Sequence, residues 1–139
     1  MIDSKTAPYA ALLLRVSLGV LFLAHAGLKL FVFTPTGTAG FFQSLGLPGA
    51  LAYVTIALEV IGALLLISGL YVRIVSLALI PILLGAIVFV HGPNGWLFSN
   101  ENGGWEFPAF WAMALLVQAL LGSGTAALFP KVSEHGLGR

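Results

Sequence analysis

Four long apolar segments constrain the fold of this chain more than any other feature of its sequence. They occupy residues 9–33, 50–70, 72–90 and 107–129. Each is close to the roughly 20 mostly apolar residues that a membrane-spanning helix requires. Of the 139 residues, 59% are hydrophobic and only 8% are charged. A soluble domain is about 25% charged, and one of this length has too small a core to bury so much apolar surface. The sequence therefore predicts a single-domain, all-α integral membrane protein, a four-transmembrane-helix bundle surrounded by the lipid bilayer.

The connections between the spans differ in character. Residues 34–49 contain several glycines together with Phe41 and Phe42. We interpret them as a short interfacial or re-entrant element, with the phenylalanines directed toward lipid or toward the bundle. The second and third spans are separated only by a tight turn, which Gly69 begins and Arg73 follows.

The distribution of basic residues predicts an orientation. Cytoplasmic loops of membrane proteins carry an excess of lysine and arginine. Lys5, Arg73, Lys131 and Arg139 fall on one side if both termini and the central turn are cytoplasmic. We therefore expect a multi-pass protein with both termini cytoplasmic.

Charge and cysteine content exclude several classes of function. The formal net charge is +1 and there is no basic tract, so nothing in the sequence favours nucleic acid binding. The chain has no cysteine. Disulfides, thiolate metal ligands and thiol redox chemistry within this chain are therefore excluded.

Ionisable residues inside apolar spans are costly and usually mark function. At 100° per residue, the first span places several of its residues on one inward face. These are Arg15, Gly19, Phe22, Ala26 and Lys29, with His25 at the edge of the face. Gln118 on the last span is expected to bond across helices.

Depth groups most of these residues in the outer half of the membrane. His25 lies about 6 Å deeper than Lys29, and Glu59 about 13 Å below the outer start of its span, at 1.5 Å per residue. His91 closes the third span on that side and Glu106 opens the fourth. Arg15 belongs to the cytoplasmic half, so convergence in the outer half is expected for the other five.

Each of these residues also has a structural interpretation. Glu59 is too deep to reach water, so it is expected to form a structural charge pair with Lys29 or Arg15, or to be protonated. Lys29 and Arg15 could each extend to an interface. His25 could make a helix-packing hydrogen bond.

The outer loop from His91 to Phe107, HGPNGWLFSNENGGWEF, is polar in a chain that otherwise avoids charge. Asn94-Gly95 and Asn102-Gly103 are expected to form tight turns, since Asn and Gly tolerate positive φ. The loop would then either fold back over the bundle as a simple brace or form the lid of an outer pocket. Trp96 and Trp105 are most simply interfacial anchors.

The chain resembles the DoxX family of small bacterial membrane proteins over roughly residues 12–124. The resemblance rests on LLLRVSLGVLFLAHAGLKLF, SLGLPGALAYVTIALEVIGALLLISGL, HGPNGWLF and GGWEF. The residues that occur together in the family's order are Arg15, Gly19, Lys29, Glu59, Gly62, His91, Asn94, Gly95 and Glu106.

This resemblance implies a four-helix protein of the bacterial cytoplasmic (inner) membrane. Some relatives are associated with quinone-linked oxidation of sulfur compounds, and others with oxidative-stress or thiol defence and with catechol or quinone detoxification. The resemblance does not indicate an agreed set of catalytic residues.

The residues favour a quinone-binding membrane subunit of an oxidoreductase. In this hypothesis His25 and Glu59 are catalytic, moving and holding protons, and quinone is the cofactor. The ligand-binding residues would be Lys29, His91, Glu106, Phe22, Asn94 and Trp96. A redox partner subunit or a homo-oligomer would complete the system.

Two alternatives stay open. The chain could be a non-enzymatic scaffold whose charges fix helix register and whose outer loop docks a partner. A metal or haem site could be built from His25, His91, Glu59 and Glu106. Because no helix carries closely spaced ligands, we predict no metal site.

Overall fold

The computed structural model describes residues 1–128, which contain five α-helices and no strand. In chain order the helices are α1 (Ala7–Gly27), α2 (Pro35–Ser44), α3 (Ala50–Ser68), α4 (Val72–Ala86) and α5 (Glu106–Leu121). Two of them continue into a wider π-helical turn, α1 over Leu28–Val32 and α4 over Ile87–His91, and a 3₁₀ turn at Gly92–Asn94 follows α4. The prediction of an all-α fold is confirmed.

Three helical stretches are long and apolar enough to cross a membrane. They are Ala7–Val32, Ala50–Ser68 and Val72–Asn94, with 26, 19 and 23 residues. They correspond to the apolar segments predicted at 9–33, 50–70 and 72–90.

Helix α5 is shorter than the sequence indicated. The prediction placed an apolar helix over 107–129, whereas α5 ends at Leu121 after 16 residues. Gly122 adopts a φ of 82°, which ends the helix. At 1.5 Å per residue α5 covers about 24 Å, less than the roughly 30 Å hydrocarbon core of a bilayer. Phe129 lies outside the described residues.

We call the two ends of the bundle the terminal end and the loop end. At the terminal end, the backbone of Thr125 donates to the Pro8 carbonyl at 3.2 Å, and that of Leu128 to the Ser68 carbonyl at 3.1 Å. The start of α1, the end of α3 and the segment after α5 therefore meet there. The loop end carries α2 and the connection 95–105.

Besides the buried Arg15, the terminal end of the bundle carries two basic residues among those described. Lys5 precedes α1, and Arg73 lies in the first turn of α4. Lys131 and Arg139, which also entered the predicted orientation, lie outside the described residues.

The buried residues of α1 agree with the inward face predicted for the first span. Its buried residues are Ala11, Arg15, Leu18, Gly19, Phe22 and Ala26. Leu18 is buried with them, although it is not among the residues predicted for this face. The face packs into an apolar core that also contains Ala63, Leu66, Leu79, Leu83, Trp111 and Leu115. Large apolar side chains also cover the outside of the bundle, where lipid would solvate them: Leu13, Val20, Ile61, Leu64, Leu84, Phe110 and Leu120.

Helices α1 and α3 approach each other closely at Gly19. A Cβ at this position would lie 2.9 Å from the carbonyl oxygen of Ala63 and 2.5 Å from Cγ1 of Ile67. Small residues let the backbones of two membrane helices approach this closely. Such close packing stabilises the pair, since inside a bilayer there is no hydrophobic force that drives helices together. The contact fixes the height of α1 against α3.

The connection between α3 and α4 has the form that the sequence predicted. Gly69 ends α3 with a left-handed φ of 82°, and α4 begins directly after Tyr71, so the two helices form a tight hairpin. Between α1 and α3, the predicted short element is the ten-residue helix α2. The Thr34 side chain caps α2 by accepting from the backbone N–H of Gly37 at 3.1 Å.

Candidate functional site

An ion pair joins α1 to α3 in the loop half of the bundle. The Lys29 ammonium donates to both carboxylate oxygens of Glu59, at 2.9 Å each. The Glu59 side chain is 4% exposed and that of Lys29 is 20% exposed. Lys29 lies in the π-helical turn that ends α1. Such turns are rare and are frequently found at functional sites.

Arg15 does not take part in this pair, although the sequence admitted it as a partner of Glu59. Its guanidinium is fully buried at the terminal end of the bundle. It donates to five backbone carbonyls, those of Leu66, Ile67, Ser123, Thr125 and Ala126. All five N–H groups of the guanidinium are thereby satisfied.

The role of Arg15 is therefore to hold helix ends together. A positive charge beside the carbonyls that end a helix is favoured by the helix dipole, and Leu66 and Ile67 lie in the last turn of α3. Arg73 acts similarly on α5, donating to the carbonyls of Ala119 and Leu120 at 3.0 and 3.2 Å.

His25 lies one helical turn before Lys29 and is half-buried. Its ring packs against Trp111 of α5, with centroids 4.8 Å apart and planes inclined by 59°. Within residues 1–128 the imidazole makes no hydrogen bond. It is therefore available as a donor or an acceptor, unlike the other candidate groups in this half of the bundle.

Trp111 is the central residue that sequence reasoning missed. It is 5% exposed and also contacts Phe22, with ring centroids 4.6 Å apart. Its indole N–H has no hydrogen-bond partner in the described part of the chain. Helical spacing would have indicated it, since Phe107, Trp111, Leu115 and Gln118 recur at intervals of three and four on α5.

The outer loop is held by its own polar side chains. The Asn94 amide donates to the carbonyls of Val90, Asn102 and Gly103 at 3.0–3.1 Å. The His91 ring also reaches the Gly103 carbonyl, from Nδ1 at 2.9 Å. These contacts fold the second Asn-Gly turn back against the end of α4.

Glu106 serves the same loop from the start of α5. Its carboxylate accepts from the backbone N–H of Phe98 at 3.1 Å, and its own N–H donates to the Trp96 carbonyl at 3.0 Å. Trp96 packs edge-on against Trp105, with centroids 4.6 Å apart. His91, Asn94, Trp96 and Glu106 thus form a braced loop, and among the described residues none of them makes a hydrogen bond or an ion pair with Lys29 or Glu59.

An open groove of about 510 Å³ runs beside this loop. Its lining residues are Trp96, Phe98, Glu106, Phe107, Ala109 and Phe110. The Phe107 ring lies 5.6 Å from that of Trp111, so one residue that lines the groove also packs against the tryptophan beside His25.

The candidate metal ligands do not assemble into a site. Residues 1–128 contain no group of three or more histidines and carboxylates placed to hold a metal ion. The four residues considered as ligands have separate contacts: Glu59 with Lys29, His25 with Trp111, His91 with Gly103 and Glu106 with Phe98.

The predicted site residues therefore form two groups. His25, Lys29, Glu59 and Phe22 lie in the bundle with Trp111, and the remaining ones lie in the braced loop. The first group combines a fixed cation, a buried carboxylate, an unpaired imidazole and an unpaired indole N–H. This set can donate hydrogen bonds to a neutral polar ligand and exchange a proton with it.

Comparison with known proteins adds family evidence. The model of the family described as DoxX matches residues 10–92. A Bacillus subtilis (strain 168) protein named "Putative oxidoreductase CatD" is 39% identical over 93% of this chain and 91% of its own length. A Haemophilus influenzae protein named "Uncharacterized protein" is 30% identical over 89% of this chain and 91% of its own. No solved structure matches the chain.

Proposed function

This chain belongs to the DoxX family, and we propose that it is the membrane subunit of an oxidoreductase system that binds a quinone or a similar lipophilic ligand in the loop half of its bundle. Two findings support the first part: the family match, and a relative named as an oxidoreductase that is similar over almost the whole chain. The second part rests on the side chains of the site.

One observation carries the proposed ligand site. The half-buried imidazole of His25 makes no hydrogen bond among the described residues, although it lies one turn from a buried ion pair. In lipid, a polar group without a partner is costly, so such a group is usually kept for a ligand, a proton or a water.

The chemistry of a quinone suits these groups. Reduction of a quinone to a quinol takes up two electrons and two protons, and its carbonyl oxygens bind hydrogen-bond donors. His25 would donate to a carbonyl and relay protons, Glu59 would hold a proton, and Lys29 would stabilise the developing anion. The electrons would come from a partner protein of the oxidoreductase system, because a chain without cysteine has no thiol to supply them.

We propose four spans, with α5 as the fourth. Its 16 residues cover about 24 Å, and interfacial residues at its two ends would extend this toward the bilayer surfaces. We propose that the protein lies in a bacterial inner membrane with both termini in the cytoplasm, an orientation that the basic residues Lys5 and Arg73 at the terminal end support. The braced loop lies on the opposite side.

The test is a binding measurement on the purified full chain in mild detergent. Mass spectrometry of co-extracted lipids should detect quinone, and a short-tailed naphthoquinone should raise the thermal unfolding midpoint. His25→Ala should abolish that shift, whereas Gly27→Ala on the same helix, where an added Cβ meets nothing within 4 Å, should keep it. Absence of both co-extracted quinone and a thermal shift in the wild-type protein would rule the proposal out.

A scaffold function is the second candidate, and the outer loop favours it. His91, Asn94 and Glu106 are occupied in bracing the loop, which leaves Trp96, Leu97 and Phe98 exposed on its surface. Exposed aromatic residues on a rigid loop are typical of a protein interface. Cross-linking in native membranes should then recover one defined redox partner, and Phe98→Ser should lose it while His25→Ala does not.

A further inference from the structure

The indole N–H of Trp111 is a buried hydrogen-bond donor without an acceptor. Trp111 is 5% exposed, and its Nε1 has no partner among the described residues. A buried tryptophan usually finds a partner for this group. Leaving such a group unsatisfied costs about 1–3 kcal/mol.

Aromatic rings surround the indole of Trp111, and one of them, the imidazole of His25, is polar. Phe22, His25 and Phe107 contact the indole ring, with centroids 4.6, 4.8 and 5.6 Å away. His25 likewise makes no hydrogen bond within residues 1–128. Two unpaired polar groups from different helices therefore lie side by side in an aromatic environment.

Phe107 connects this environment to the surface of the bundle. It lines the 510 Å³ groove and also packs on Trp111. Phe98, on the loop side of the groove, lies 5.2 Å from it. Rotation of the Phe107 ring would open a path from the groove to Trp111.

The groove disfavours anionic molecules. Its lining is mostly aromatic, and its charged member is the carboxylate of Glu106. An anionic head group would be repelled there, whereas a flat, uncharged aromatic compound would bury apolar surface. A carbonyl on that compound would supply the acceptor that Trp111 lacks.

We infer that Trp111 Nε1 donates the hydrogen bond that holds a carbonyl oxygen of a neutral aromatic ligand, and that this ligand enters from the lipid through the groove past Phe107. The inference rests on the proposed function, since it specifies the donor and the route of the same site. Trp111 is in this scheme a ligand-binding residue beside His25.

The donor is tested by equilibrium binding of two probes to the full chain in detergent. The probes are 2-methyl-1,4-naphthoquinone and 2-methylnaphthalene, which have the same ring system but differ in their carbonyls. The wild-type protein should bind the quinone more tightly than the hydrocarbon. Trp111→Phe should reduce this preference about five- to tenfold, the worth of one net hydrogen bond, and Trp105→Phe, a tryptophan outside the groove lining, should leave it unchanged.

The route is tested by the rate of association. Ala109→Trp would fill the groove, so quinone association should slow at least tenfold while the Kd stays within about twofold. Leu120→Trp, exposed at the other end of α5, is the matched control and should leave the rate unchanged. Phe107→Ala should accelerate association.

The outcomes separate this inference from the proposed function. If the wild-type protein binds the quinone but Trp111→Phe keeps the preference over the hydrocarbon, the inferred donor is wrong and the proposed function stands. An unchanged association rate in Ala109→Trp overturns the route in the same way. If the wild-type protein binds neither probe, both the inference and the proposed function fail.

Discussion

The Lys29 ammonium bonds both carboxylate oxygens of Glu59 at 2.9 Å and thereby links the π-helical turn after α1 to the middle of α3. Glu59 is almost fully buried, so its charge depends on this partner. The same pair lies one turn from the unpaired His25. Its first role is therefore to keep a charged group stable inside the bundle.

Removing one member of the pair should destabilise the bundle. We expect Lys29→Met to lower the free energy of unfolding in micelles by about 3 kcal/mol, because it leaves a buried carboxylate without a counter-charge. Adding Glu59→Gln should recover part of this loss, since a neutral amide needs no counter-charge. A double variant as unstable as Lys29→Met alone would contradict this explanation.

Arg15 should tolerate no substitution, including lysine. A lysine has three N–H donors on a flexible chain and cannot reproduce five hydrogen bonds from a planar fork. Arg15→Lys should lower the unfolding free energy by about 3 kcal/mol and release residues 122–128 to protease. Arg73→Lys is the control, because Arg73 is exposed and bonds only two carbonyls, and it should cost less than about 1 kcal/mol.

The close contact between α1 and α3 makes Gly19 sensitive to a single methyl group. Gly19→Ala should destabilise the protein by about 1–3 kcal/mol, because the added Cβ meets the Ala63 carbonyl and Ile67. The same substitution at Gly27 meets nothing within 4 Å and should be neutral or stabilising by up to about 1 kcal/mol. Equal thermal midpoints for the two variants would show that the helices can separate without cost.

The Asn94 side chain should control the order of the outer loop. Its amide donates to three carbonyls, and Asn94→Asp replaces that donor with an acceptor. Limited proteolysis of the purified protein should then cut within residues 95–105 at least tenfold faster. Ser99→Ala, an exposed change in the same loop, should leave the cutting rate unaltered.

The four-span topology can be tested with introduced cysteines, since the chain has none. In intact cells a membrane-impermeant maleimide should label Ser99→Cys. Ser4→Cys and Leu128→Cys should react only after lysis, because the proposed orientation puts the terminal end in the cytoplasm. Labelling of Leu128→Cys and Ser99→Cys from the same side would show that α5 does not cross.

Local sequence patterns determined the fold class and the inward face of α1. Helical periodicity needs only the order of apolar and polar residues along one segment, so Arg15, Phe22 and Ala26 were assigned correctly to the buried side. The same logic located the hairpin at Gly69, where a left-handed residue ends α3. It also indicated an extension of α5 to Phe129 that Gly122 prevents.

Only the tertiary structure decided which polar groups meet. Charge alone allowed Glu59 to pair with either Lys29 or Arg15, and the relative height of α1 and α3 in the bundle selected Lys29. Trp111 reaches His25 because α5 packs beside α1, a long-range relationship that no spacing within one helix encodes. The sequence by itself therefore determined a helical membrane protein with polar residues in its core, whereas the packing of its helices determined the pairs that those residues form.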